Sequence, residues 1–242
     1  MARVDLHTHS RFFHAMPGRP TAYDGLGARL LVAAARARGL DAVAVTNHDY
    51  YTDFAFDTGE VTVIPGVEVS STAGHLLVVG PDPPARTNPG AMTPEEVVDL
   101  AHDRGCAVVM AHPYRNSRIR ELDVAVDAVE VNGKRSRSPE TIVALADRLG
   151  LPLVGGSDAH FPTGVGRTFT TVDEETVTPG GVVSAIREGR TDYHCVSQLG
   201  DRSTRRLYSL VHRLRGHTQP TSERERSDGD RERCGTDPTR RL

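Results

Sequence analysis

Ala42-Val43-Ala44-Val45-Thr46-Asn47-His48-Asp49 is a run of small and β-branched residues that stops on a polar cluster. Four successive apolar side chains, with no polar alternation, fit a strand buried on both faces of a parallel sheet. Barrels built from such strands place their chemistry at the carboxyl ends, and His48 falls there. The same arrangement recurs on either side. Residues 4–9 read as a strand ending in His7-Thr8-His9, with His14 in the loop beyond. Residues 61–70 carry Glu68, and a Thr72-Ala73-Gly74 turn leads to a strand at 75–80 that opens on His75. Residues 106–112 close on His112, and 152–157 lead into Asp158-Ala159-His160. Further strands are expected at 128–132 and 191–196.

Helical patterns separate these strands. Residues 25–39 form an Ala/Arg-rich stretch stopped by glycine. Thr93-Pro94-Glu95-Glu96 supplies an N-cap, an N1 proline and first-turn acids for a helix to about residue 104. Ser138-Pro139-Glu140 opens another that ends at Gly150, and residues 179–189 form a last one. Strand–helix alternation of this kind predicts an α/β fold with a parallel, barrel-like sheet of about seven core strands.

The chemistry-bearing residues are ordinary one by one and informative together. Asp5, His7 and His9 alternate on one strand face, so two imidazoles can grip one ion while Asp5 orients one of them. Glu68 interrupts an apolar strand, and a buried carboxylate needs a cation or a donor network. Asp158 and His160 again share a face at i, i+2. His14, beside Phe12 and Phe13, also suits packing, and His48 also suits a polar loop. Nine imidazoles and carboxylates, all but His75 placed at or just after strand ends, point to a multinuclear hydrolytic metal site.

The bulk composition narrows the classes. With 242 residues, 38% hydrophobic and 25% charged, the chain is expected to be one globular domain plus an appendage. No apolar run approaches membrane-spanning length and Met1 leads straight into a strand, so a cytoplasmic enzyme without a membrane partner is expected. Cys106, Cys195 and Cys234 form no CxxC pair and read as structural or incidental thiols. Residues 201–242 hold eleven Arg and seven Asp or Glu, a balance of +4; the whole chain is −3, which leaves −7 on residues 1–200. An acidic body argues against a general nucleic-acid binder. Leu207, Leu210, Val211 and Leu214 mark an amphipathic helix over 201–216, and the charged stretch 217–242 reads as disordered.

Taken in order, DLHTHS (5–10), TNHD (46–49), IPGVEVS (64–70) followed by His75, AHP (111–113) and GGSDAH (155–160) strongly resemble the PHP (polymerase and histidinol phosphatase) superfamily over about residues 3–195. The resemblance implies a distorted, TIM-like (β/α)7 barrel over residues 1–200, including a C-terminal extension after Gly166 like that of stand-alone PHP phosphoesterases. It implies two or three divalent ions, with Zn, Mn and Fe all suited to the donors. Position by position, His7, His9, Glu68 and Asp158 would hold one ion; Glu68, His75 and His112 a second; and His14, His48 and His160 a third. His14 stands where the family often has Asp, and Asn47 where Asp is common.

The implied activity is metal-dependent hydrolysis of a small phosphomonoester, or of a nucleotide or short-oligonucleotide phosphoester, by a metal-bridging hydroxide. Asp158 and His160 are also candidates to move a proton, and Arg115, Lys134, Arg135 or Arg167 to hold the phosphate. Stable binding of duplex DNA is not expected. Two rivals remain. An amidohydrolase would carry a carbamoylated lysine, for which Lys134 is the sole candidate in the chain. A non-catalytic regulatory PHP domain would have lost ligands, and all nine are present.

Overall fold

The computed structural model describes residues 1–11, 24–134, 138–174 and 177–196. The expected His14, Arg135, amphipathic helix and charged tail lie outside these residues. Within them, Met1–Cys195 forms one compact unit.

Nine strands and four helices follow one another along the described residues: β1 (Ala2–Thr8), α1 (Gly25–Ala37), β2 (Ala42–Val45), β3 (Thr62–Ser71), β4 (Gly74–Val79), α2 (Pro94–Asp103), β5 (Ala107–Met110), β6 (Ala128–Asn132), α3 (Pro139–Leu149), β7 (Leu153–Gly156), β8 (Thr168–Val172), α4 (Pro179–Arg187) and β9 (Thr191–Cys195). The local signals explain the helix ends. Asp24 caps α1 by accepting from Gly27 N, and Thr93 and Glu96 form a reciprocal capping box on α2. Gly150 ends α3 at φ 67°, a left-handed conformation that favours glycine.

The strands form one sheet in the order β7-β6-β5-β4-β3-β2-β1-β8-β9. Pairing is parallel for β1–β2, β2–β3, β5–β6 and β6–β7. It is antiparallel where β4 meets β3 and β5, and where β8 meets β1 and β9. The sheet is therefore mixed rather than wholly parallel. The reason lies in the connection between β3 and β4: the turn at Thr72-Ala73 is too short for the crossover that parallel strands need, so β4 folds straight back. β3 changes partner midway, pairing with β2 up to Pro65 and with β4 from Gly66. A Cβ on Gly66 would lie 2.9 Å from Thr46 Cγ2 and 3.1 Å from Val78 O, so the changeover fits only glycine without movement of its neighbours.

The two ends of the sheet nearly meet. At the histidine end, Asp158 N donates to His7 O and His9 N to Ala159 O, which ties the segment after β7 to β1. Lower down, Gly155 N donates to Thr170 Oγ1 on β8, and Thr191 Oγ1 on β9 donates to Leu153 O. The barrel interior holds Val4, Leu6, Ala42, Ala44, Ile64, Leu77, Val109 and Ala128, against which α4 packs Val182, Val183, Ala185 and Ile186. α2 and α3 cover the outer face of β4–β6, and α1 covers that of β2. No helix among the described residues is long and apolar enough to cross a membrane.

Candidate metal centre

Eight of the nine predicted ligands are described, and all eight converge. Glu68 stands at the centre, on the part of β3 that has left β2, fully buried within an otherwise apolar strand. Its place is mid-strand rather than at a strand end. Three imidazoles face its Oε2: His7 Nε2 at 3.1 Å, His48 Nδ1 at 3.3 Å and His9 Nε2 at 3.4 Å. Two more face Oε1: His75 Nδ1 at 2.6 Å and His112 Nε2 at 3.0 Å. His75 comes from the opening of β4, and the hairpin register sets it two pairs away from Glu68 on the same face.

Asp158 forms the second focus. Its Oδ1 lies 3.4 Å from His9 Nε2, 3.2 Å from His160 Nδ1 and 3.8 Å from His7 Nε2. The backbone at Asp158 and at His112 has positive φ, 53° and 30°. Side-chain-bearing residues adopt that region rarely, and such strain clusters where the surrounding structure enforces a functional geometry. The candidate donor atoms fall into three overlapping groups, each within 4.8 Å: His7, His9 and Asp158; His48, Glu68 and His75; and His9, His48 and His160. The groups differ in detail from the sets implied by the family resemblance. His48 joins Glu68 and His75 as well as His160, and His9 is shared.

Two cations reach the same carboxylate. Arg115 forms a salt bridge to Asp158 Oδ2, and Lys134 Nζ sits 3.2 Å from Asp158 Oδ1 and 2.7 Å from His160 Nδ1. Both are about one-third exposed, so they stand at the rim of the cluster. Arg167, by contrast, donates to Thr163 O.

Supporting residues fix this geometry. Asp5 was expected to orient an imidazole, but its carboxylate accepts backbone N–H groups instead: His7 N, Ser157 N and Gly166 N. The pairing of β1 with β2 shifts register between Asp5 and Thr8, and this irregularity frees the His7 N–H that Asp5 takes up. The residue that does meet an imidazole is Glu130 on β6, which the sequence reading passes over. Asn47 Oδ1 accepts from Ser10 N and its Nδ2 donates to Ser10 Oγ, joining the ends of β1 and β2. Asp49 accepts from Ser70 N, Ser70 Oγ and Thr87 Oγ1.

The charges follow from burial opposed by neighbours. Burial alone would push His7 down, yet Glu130, Glu68 and Asp158 outweigh it and hold the ring well above its usual value. Burial and the nearby His160 charge push His9 well below. Burial would raise Glu68 and Asp158, but the surrounding imidazoles hold both well below the carboxylate range, with Lys134 adding to the effect at Asp158. Burial lowers Lys134, against the pull of Asp158.

The residues fit a divalent ion on two grounds. His9 Nε2 is buried and makes no hydrogen bond, although two carboxylate oxygens lie 3.4 Å away. A buried polar atom without a partner is rare and calls for one. Five imidazoles around a single carboxylate are also more than it can satisfy as hydrogen-bond donors with good geometry, whereas a carboxylate between two cations shares them readily.

Residues 140–191 match the family model described as PHP-associated. Among curated proteins, none matches the sequence. Among solved structures, the chain resembles PsfC from Pseudomonas syringae PB-5123 with a TM-score of 0.65 and 23% identity, over 89% of this chain and 98% of that one. It also resembles the lesion-specific endonuclease PfuEndoQ from Pyrococcus furiosus, with a TM-score of 0.54 and 19% identity, over 79% of this chain and 57% of that one. The PHP-associated match bears out the resemblance to the PHP superfamily drawn from the motifs, and the solved structures share the fold.

Proposed function

We propose that the chain is a metal-dependent phosphoesterase acting on a small phosphomonoester, or on a nucleotide or short-oligonucleotide phosphoester. The observation that carries this reading is Glu68, fully buried and faced by five imidazoles at 2.6–3.4 Å. His7, His9, His48, His75, His112, Asp158 and His160 would hold two or three divalent ions with it, and His14 is retained as a candidate. Zn, Mn and Fe all suit this His/carboxylate set. Neighbouring divalent ions lower the pKa of a water and neutralise phosphoryl charge.

The protein's own residues supply the rest. Arg115 and Lys134 stand beside Asp158 at the rim, where a guanidinium and an ammonium can hold phosphoryl oxygens and stabilise the charge that develops during transfer. Asp158 lies next to both cations and His160 next to Lys134, and these two are the candidates to move a proton towards the leaving group. Glu68 favours this reading over an amidohydrolase, because a carboxylate already occupies the place between the rings while Lys134 reaches the rim. An endonuclease among the fold relatives keeps nucleotide and oligonucleotide phosphoesters within the substrate class.

The test is turnover of an aryl phosphate monoester and an aryl phosphate diester by protein loaded with Mn or Zn. Hydrolysis of at least one ester is expected. His9→Ala should lower it by at least about 100-fold, since residues that merely support a ligand already cost 10–100-fold. No turnover of either ester by metal-loaded protein would favour the non-catalytic domain.

A further inference from the structure

Glu130 is a charged side chain with no exposure to solvent, set in the apolar strand β6. Ala128 belongs to the barrel-interior cluster, while Val129 and Val131 pack outward under the helices. Alternation therefore turns Glu130 into the barrel beneath the imidazoles. Its two oxygens do different things. Oε1 lies 2.8 Å from His7 Nδ1. Oε2 accepts from His112 N at 2.8 Å and from Asn132 Nδ2 at 3.0 Å. Space for this is made by Gly156, where a Cβ would stand 2.3 Å from Glu130 Oε1 and 2.5 Å from His7 Cβ.

We propose that Glu130 is a positioning residue that sets the coordination geometry on both sides of Glu68 at once. The proposal rests on the metal-site reading given above. By accepting from His7 Nδ1–H, Glu130 turns Nε2 towards Glu68 Oε2 and leaves it the nitrogen that would give its lone pair to an ion. By accepting from the His112 N–H, it holds a backbone that sits at φ 30° and so aims His112 Nε2 at Glu68 Oε1. His112 Nδ1 is already engaged by Arg115 O at 3.2 Å, so both rings present Nε2 to the same carboxylate. One buried carboxylate thus links a ligand from β1 to a ligand after β5. Asp5 cannot substitute, because its oxygens serve three backbone N–H groups.

Glu130→Gln tests this with little change of shape. A glutamine carries one acceptor and one donor, so it can satisfy His7 or the His112 N–H but not both. Metal affinity, read by competition with a chelator, should fall by about 10–100-fold. Glu130→Asp, which keeps both acceptors, should recover part of it. Nitrogen-15 NMR of the imidazoles gives a readout that a merely structural role would not move: the wild type should show His7 protonated at Nδ1, in metal-free as in loaded protein. Wild-type affinity in Glu130→Gln, or a His7 protonated only at Nε2 in the wild type, would overturn the role of Glu130 and leave the metal site standing. A wild type that binds no ion at all would overturn both.

Discussion

Asp5 lies two residues before His7 yet answers a structural need. Complete burial raises its pKa from 3.8 to about 6, even though the Ser157 hydroxyl and the backbone N–H groups of Ser157, Gly166 and His7 pull the other way. The folded chain binds this proton more tightly than the unfolded one. Asp5 therefore contributes fully below about pH 4, and its contribution is lost as pH rises through about 6. A rise of that size is worth about 3 kcal/mol. Asp5→Asn gives up one acceptor at every pH, so its effect is read in slope rather than level. In denaturant titrations of metal-free protein between pH 4 and 6.5, the wild type should lose about 2 kcal/mol of that relative to the variant; parallel curves would contradict the assignment. Asp5 and Glu130 also show what single positions reveal in sequence. Glu68 is legible because a carboxylate within Ile64-Pro65-Gly66-Val67-Glu68-Val69 needs a partner. Glu130 carries the same signal within Ala128-Val129-Glu130-Val131-Asn132, but no imidazole adjoins it in sequence. Its partners, His7 and His112, come from β1 and the end of β5, so only the fold pairs them.

Strands and helices were readable wherever the local pattern and the tertiary environment agree. Caps, N1 prolines and terminal glycines put α1–α4 within about two residues of their expected ends. Strand direction was less legible, because a buried apolar run looks alike in parallel and antiparallel pairs; at β4 only the length of the Thr72-Ala73 turn reveals it. That reversal has a consequence for the site. Folding β4 back against β3 brings His75 beside Glu68, so a candidate ligand at the start of a strand joins candidates that follow strand ends. Helix α4 acts elsewhere, packing against the barrel-interior cluster with Ile186 fully buried. Ile186→Ala should cost about 2–5 kcal/mol in chemical denaturation. The metal content of the folded protein should stay unchanged, since Ile186 packs within the apolar interior cluster. Loss of metal from folded Ile186→Ala protein would show that α4 supports the site as well as the core.

Across the barrel, closure and the candidate site use the same residues. Asp158 N donates to His7 O and His9 N to Ala159 O, so the bonds that join the first strand to the segment after β7 also carry His7, His9, Asp158 and His160 into one cluster. Glu68 and Glu130 then tie β3 and β6 to that seam through His7. Charge balance gives the arrangement its purpose. Burying carboxylates at 0–1% exposure is costly unless cations meet them. In metal-free protein, protonated His7 and the rim cations Arg115 and Lys134 fill that need. Divalent ions would fill it more completely while releasing protons from the imidazoles. Elemental analysis of protein purified without chelator, wild type beside Glu68→Ala, settles whether they do. Two or three Zn, Mn or Fe ions per chain in the wild type, with most of them lost from folded Glu68→Ala, is the expected result. A wild type that holds no more than one ion after reconstitution with Mn or Zn, or a Glu68→Ala protein with an undiminished complement, would contradict the multinuclear centre.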